Sequence, residues 1–338
     1  MIKFAITGLG HIGKRHAEMI QNNDECTLVA VIDTDEAVRS LLAEQYPALP
    51  VFATLEHYFE SGISADVLTI ATPNGYHTTQ ALQALDHGMH VVIEKPMALT
   101  TSQAEEVILK AKNKNKQVFC VMQNRYSPPS EWLKGIVEQG LLGKRYMVQI
   151  NCYWNRDDRY YKSRGWHGTK ALDGGTLFTQ FSHFIDLMYW LFGDIKNIQA
   201  RLNDFNHAHL TDFEDSGMAT FDFVNGGMGC FNFSTSVWDK NLESSMTIIA
   251  ENGTVKVGGQ YMEKVEYSHI KNYTLPALPD TNPPNDYGPY KGSAANHHFI
   301  IENVVDTLKG GGSVTTNAHE GLKVVDIIER IYAAGRGK

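Results

Sequence analysis

Short apolar runs and longer stretches of helical period alternate along the first third of the chain. Residues 4–7, 28–32, 51–52, 67–71, 91–93 and 118–122 are dense in apolar side chains, many of them β-branched, and read as buried strands. Between them, 14–21, 36–45, 55–61, 78–87 and 102–114 repeat apolar residues every three or four positions, the period of an amphipathic helix. Strict alternation of the two predicts a mainly parallel, doubly wound sheet over 1–123.

After Gly143 the period falls to two. Residues 146–154, 195–202, 215–223, 228–236, 245–250 and 254–257 alternate apolar with polar, and Asn225-Gly226 and Asn252-Gly253 supply hairpin turns. An open, mainly antiparallel sheet over 124–338 follows, so the chain reads as α/β with a second, α+β domain. Besides helices at 130–139 and 299–309, a helix is expected inside that domain at 173–193, entered through Gly174-Gly175 and stopped by Gly193. Five prolines from Pro276 to Pro289 predict an irregular loop over 260–294, and the amphipathic last helix, 320–334, is expected to pack back on the first domain.

A length of 338 residues agrees with two domains. The net charge of -8 argues against nucleic acid and membrane surfaces, which need a basic face, but leaves room for a small anionic substrate held by a few local cations. The four cysteines are scattered without a C-x-x-C, so no metal and no disulfide framework is expected. With no signal-like start and no apolar run near the roughly 20 residues of a span, the expectation is a cytoplasmic protein.

The chemistry-bearing residues fall at strand ends. Gly8-Leu9-Gly10-His11-Ile12-Gly13 joins the first strand to the first helix, the pattern that lets a backbone approach a pyrophosphate at a helix N-terminus. Asp33 ends the second strand, about 20 residues on, where a carboxylate accepts from adenosine ribose hydroxyls and repels a 2′-phosphate. NAD is therefore expected rather than NADP. Thr72 and Asn74 end the fourth strand, with His77 just beyond, and are read either as cofactor contacts or as helix caps. Glu94-Lys95-Pro96 ends the fifth, placing a lysine where such sheets bind ligands.

Glycine fingerprint, Thr72-Pro73-Asn74 with His77, and Glu94-Lys95-Pro96 together resemble the Gfo/Idh/MocA-type nicotinamide-dependent oxidoreductases. The resemblance implies that Lys95 contacts both the reacting sugar hydroxyl and the nicotinamide ribose, and that the helix bearing His183 points at the nicotinamide. It adds Glu94, Gln123 and Trp166 to the cofactor contacts. Many members carry an aspartate four residues before that histidine, where this chain has Thr179, which cannot act as a base at neutral pH. Proton transfer is then left to Lys95 and His183, and either could be the base. Tyr153-Trp154 before Arg156, Tyr160-Tyr161 before Trp166, and Gln180 with Ser182-His183 are similar to the UDP-N-acetyl-2-amino-2-deoxy-D-glucuronate 3-dehydrogenases. That likeness implies a UDP-sugar uronate as substrate, contacted by Lys95, Tyr153, Arg156, Tyr160, Arg164, Thr179, His183 and His297. The cluster Arg156, Arg159, Lys162 and Arg164 is expected to hold diphosphate and carboxylate, or else to be a solvated loop. A homo-oligomer, dimer or tetramer through the second sheet, is also expected.

Overall fold

The computed structural model describes residues 1–162, 165–286, 288 and 290–336. The chain divides into two compact units, 1–121 with 297–322, and 122–296 with 323–338. The expected boundary at 123 thus meets a first unit that also takes in 297–322.

In the first unit the strands are β1 (Ile2–Thr7), β2 (Cys26–Ile32), β3 (Val51–Phe52), β4 (Val67–Ile70), β5 (His90–Ile93) and β6 (Val118–Cys120), with α1 (His11–Gln21), α2 (Glu36–Gln45), α3 (Leu55–Glu60), α4 (His77–Asp86) and α5 (Thr101–Lys114) between them. They form one parallel sheet in the order β3-β2-β1-β4-β5-β6. Strand order reverses between β1 and β4, and a ligand crevice belongs outside the carboxyl ends at that switch point. β1, β4 and β5 are buried on both faces, which is why their sequences run continuously apolar instead of alternating.

The second unit is built on β7 (Arg145–Tyr153), β8 (Ile195–Asn203), β9 (Ser216–Phe223), β10 (Met228–Ser234), β11 (Glu243–Ala250), β12 (Gly253–Gly258) and β13 (Lys264–Ile270). Their order is β13-β12-β11-β7-β10-β9-β8, and all neighbours are antiparallel except β7 and β10. A two-stranded ribbon, β14 (Pro284–Asp286) with β15 (Lys291–Ala294), accompanies it. Helices are α6 (Pro128–Glu138), α7 (Asp158–Tyr161) and α8 (Ser182–Phe192), followed in the chain by α9 (His297–Leu308), which packs on α1 of the first unit, and α10 (Ala318–Arg336). One face of the sheet buries Val148, Ile150, Phe231, Phe233, Met246 and Ile248 against Phe181, Phe184 and Met188. The other leaves Met147, Met218, Met228 and Ile249 exposed.

Two expectations are corrected. Residues 264–270, assigned to an irregular loop, form the edge strand β13, because Val265 and Tyr267 keep a period of two before the proline cluster begins. The single helix over 173–193 is instead a π-type turn at Leu177–Phe181 running into α8. Such a turn inserts a residue into the helical ladder and is found mostly at functional sites. Among the described residues no helix is long and apolar enough to cross a membrane.

Candidate active site

The glycine turn is built to leave its backbone uncovered. Gly8 has a φ of +84°, and a Cβ there would lie 2.7 Å from the Ala71 carbonyl oxygen; a Cβ on Gly13 would lie 1.9 Å from the Gly8 oxygen. Only glycine tolerates both the conformation and the closeness. Gly10 caps α1 without a side chain on its amides, so the positive end of the helix is open to an anion, flanked by exposed His11 and half-buried Ile12. The Asp33 carboxylate is fixed beside this turn, accepting from the Leu9 amide at 2.6 Å and the Asp35 amide at 2.9 Å. Arg39 turns its guanidinium onto the carbonyl oxygens of Asp33 and Thr34, at 2.9 and 2.7 Å. These residues fit a dinucleotide: a bare turn for the pyrophosphate and a placed carboxylate for the ribose. Asp33→Ser is expected to lower the NADP-to-NAD ratio of dissociation constants by about tenfold or more, read by fluorescence titration, since the repelling charge is removed. An unchanged ratio would assign discrimination elsewhere.

At the end of β4, the Thr72 hydroxyl donates to Gln80 at 2.6 Å, and Asn74 is buried at the start of a short 3-10 turn. His77 lies wholly inside, Nδ1 at 2.8 Å from the Pro96 carbonyl and Nε2 at 2.9 Å from that of Thr72. Burial holds its pKa below the ordinary value against the pull of both carbonyls and of Glu94. It ties the Thr72 loop to the Lys95-Pro96 turn.

Lys95 follows β5 half-buried and is joined to Pro96 by a cis peptide. Glu94, expected at the cofactor, points into the unit and meets two residues from distant parts of the chain. Its Oε1 lies 2.8 Å from His16 Nε2 on α1 and 3.7 Å from His297 Nε2 on α9, and its Oε2 accepts the Lys95 amide at 3.2 Å. Burial pushes this carboxyl up, but the His16 hydrogen bond and the charges of His16, His297 and Lys95 outweigh it and hold the pKa at about 2. Burial likewise drives His297 down to about 3. His297, expected at the substrate, lies buried in the interior of the first unit.

In the second unit, α8 carries His183 buried, with the Gln123 amide nitrogen 3.3 Å from Nε2. The two side chains are within hydrogen-bond distance, so Gln123 fixes the orientation of the ring, with the donor decided by the His183 tautomer. Gln123 stands in a 3-10 turn, 123–126, whose Arg125 grips Asp186 of α8 through two hydrogen bonds of 2.8 and 2.5 Å. One turn ahead of His183, the Thr179 hydroxyl donates to the carboxylate and to the carbonyl oxygen of Asp173, the latter at 3.0 Å. The helix entry is pinned by Tyr332, whose hydroxyl accepts the Leu177 amide at 3.0 Å and donates to Glu214 at 2.7 Å. Gly175 admits that ring, since a Cβ there would meet the hydroxyl at 2.3 Å.

The expected cationic cluster takes a different form. Arg156 is buried among Trp154, Tyr160 and Tyr290, and donates to Gln180, to Asn241 and to the carbonyls of Asn155 and Lys291. Arg159 pairs with Asp157 and Asp239, and Lys162 with Asp158. Arg164 lies outside the described residues. The loop's acids thus offset its bases, a balance missed when the cations alone were counted. Tyr160 is buried, stacked on His167 and accepting from Gln180 at 2.7 Å; Trp166 meets His167 edge-on, and Tyr153 is half-buried, bonded to Asn151. Asp173, Gln180, Tyr332 and His16 were not among the expected site residues. Asp173 left a signal as the acid directly before the glycine pair, and Gln180 as part of the run that ends in Ser182-His183.

A parallel sheet with a glycine turn at its switch point and a carboxylate fixed beside that turn is the arrangement of a dinucleotide-binding Rossmann domain. Residues 2–122 match the oxidoreductase family described as having an NAD-binding Rossmann fold, and 131–256 match the GFO/IDH/MocA C-terminal domain; the chain belongs to the GFO/IDH/MocA family of NAD-dependent oxidoreductases. It is similar to the WlbA dehydrogenase of Bordetella pertussis, solved with NADH and UDP-GlcNAcA, at 30% identity and a TM-score of 0.88 over 99% of this chain and 96% of that one. The WlbA dehydrogenase of Chromobacterium violaceum, solved with the same two molecules, gives 29% and 0.87 over 99% and 94%. Among curated relatives, the D-glucoside 3-dehydrogenase of Escherichia coli is 27% identical over 67% of this chain and 68% of its own.

Proposed function

We propose that the protein oxidises the C3 hydroxyl of UDP-N-acetyl-2-amino-2-deoxy-D-glucuronate to the 3-keto sugar. The observation that carries this reading is the likeness, over nearly the whole of both chains, to two dehydrogenases solved with that nucleotide sugar. NAD⁺, when bound, supplies the hydride acceptor. Gly8, Gly10, Gly13 and Asp33 hold the dinucleotide. Lys95, half-buried at the end of β5, and His183, oriented by Gln123, are the two candidates to take the hydroxyl proton.

One observation favours a second reading. Of the cations expected to grip the diphosphate, Arg159 and Lys162 are engaged by Asp157, Asp158 and Asp239 and Arg156 by Gln180, and the E. coli relative is a glucoside dehydrogenase, so a free sugar or inositol is the alternative substrate. Enzyme in stoichiometric amount with NAD⁺ and, in turn, UDP-GlcNAcA, methyl glucoside, glucose and myo-inositol discriminates the two. Nicotinamide absorbance and the mass of the keto product are expected to change with UDP-GlcNAcA first. Turnover confined to the free sugars would replace the nucleotide reading, and silence with all four would remove the catalytic one.

A further inference from the structure

We propose that His16, Glu94 and His297 form a binding site for a divalent metal ion of the zinc class, with two imidazole nitrogens and one carboxylate oxygen as ligands, inside the first unit. One ligand atom from each residue lies within 4.8 Å of the other two, and all three side chains are buried. Glu94 Oε1 is the meeting point, 2.8 Å from His16 Nε2 and 3.7 Å from His297 Nε2. Zinc bonds of about 2.0–2.1 Å in a tetrahedron hold neighbouring nitrogen and oxygen ligands roughly 3.3 Å apart. That spacing falls between the two distances found here, so side-chain shifts of a few tenths of an ångström admit the ion. The scattered cysteines speak only to thiolate ligands, and this donor set needs none.

A second observation comes from His297 itself. Its side chain is 1% exposed, and among the described residues neither ring nitrogen has a hydrogen-bond partner. A polar atom left bare at that depth costs free energy unless a water or an ion completes it. The Nε2 that faces Glu94 is one of these atoms. His16 holds its proton on Nδ1 when Nε2 ligates, and that nitrogen is likewise without a partner, so the change of tautomer breaks no other bond. The same bareness limits affinity. Zinc enzymes anchor the far nitrogen of each histidine ligand, a contact worth about 10- to 100-fold, and Nδ1 of both rings lacks it here. The site is therefore a reversible one. Its ligands come from α1, the residue after β5 and α9, so a bound ion staples three segments that are remote in sequence.

Titration of the metal-free full chain with Zn²⁺ against a chromophoric chelator tests the proposal. One equivalent is expected to bind with a dissociation constant of about 1 μM and, at a hundredfold excess over that constant, to raise the melting temperature by about 5 °C or more. His16→Gln and His297→Gln should each weaken this uptake by more than about tenfold. His207→Gln, in the other group of three possible ligands among the described residues, Asp204, His207 and Asp215, should leave it within about twofold. Co²⁺ in place of Zn²⁺ should give the visible bands of a four- or five-coordinate site, absent from the first two variants. No such equivalent in the unaltered protein would leave water as the occupant and overturn the proposal, as would uptake undiminished in His297→Gln or lost only in His207→Gln. If the variants do not fold, zinc-edge anomalous scattering from crystals of the unaltered protein decides. A peak bonded to His16 Nε2, Glu94 Oε1 and His297 Nε2 supports the site, and a peak elsewhere, or none, excludes it. Every readout is binding rather than turnover, so the result does not depend on which sugar is oxidised.

Discussion

Lys95→Met and His183→Ala are each expected to lower kcat by about a thousandfold, the range for removing a positioned acid–base group, while NAD⁺ still binds with an affinity within about threefold of the unaltered protein. The separation follows from placement. Lys95 closes β5, whereas the proposed seat of the dinucleotide is the glycine turn between β1 and α1 with Asp33 after β2. Methionine keeps the length and apolar stem of lysine and removes only the ammonium, so the strand end and the Glu94 contacts persist. His183→Ala removes the ring that Gln123 orients without touching the Arg125–Asp186 pair. Steady-state turnover and cofactor titration on the same samples check both. Full activity in both variants would exclude these side chains from the chemistry, whereas loss in one alone would identify the base.

The features legible in the sequence are those whose cause is local. The glycine turn, Asp33 and the alternation of strand and helix each arise within a few consecutive residues. Period-two runs marked six of the seven strands of the second sheet; β13 was lost only because the prolines after it dominated the reading. What escaped has a different origin. The interior group of His16, Glu94 and His297 draws one residue from each of three distant segments, and no spacing connects them. Arg156 looked like an anion grip by its type, but its neighbours Asn241, Tyr290 and Lys291 come from far along the chain and enclose it. Thr179 looked like a lost acid because the position alone was read. The carboxylate enters from Asp173, six residues earlier, through a turn whose geometry depends on Gly168 and Gly174-Gly175.

Replacing Asp186 by Asn or Ala is expected to destabilise the second unit by about 3–5 kcal/mol, because it leaves the Arg125 charge buried without its carboxylate. Both side chains are almost wholly removed from water, at 4% and 1% exposure, so solvent screens neither. Melting should shift down by roughly 10 °C for a unit of this size, measured by calorimetry. Arg125→Met with Asp186→Leu, which removes both charges together, should recover most of the loss, since an ion pair of this kind gains little over apolar packing once its desolvation is counted. Activity should not recover with it. Arg125 holds to α8 the short turn that brings the Gln123 amide to His183 Nε2, and without that clamp the ring loses the partner that orients it. A double variant that is stable yet slow in turnover would separate the two duties of the pair, and one that is stable and fast would show that Gln123 needs no anchor beyond its own turn.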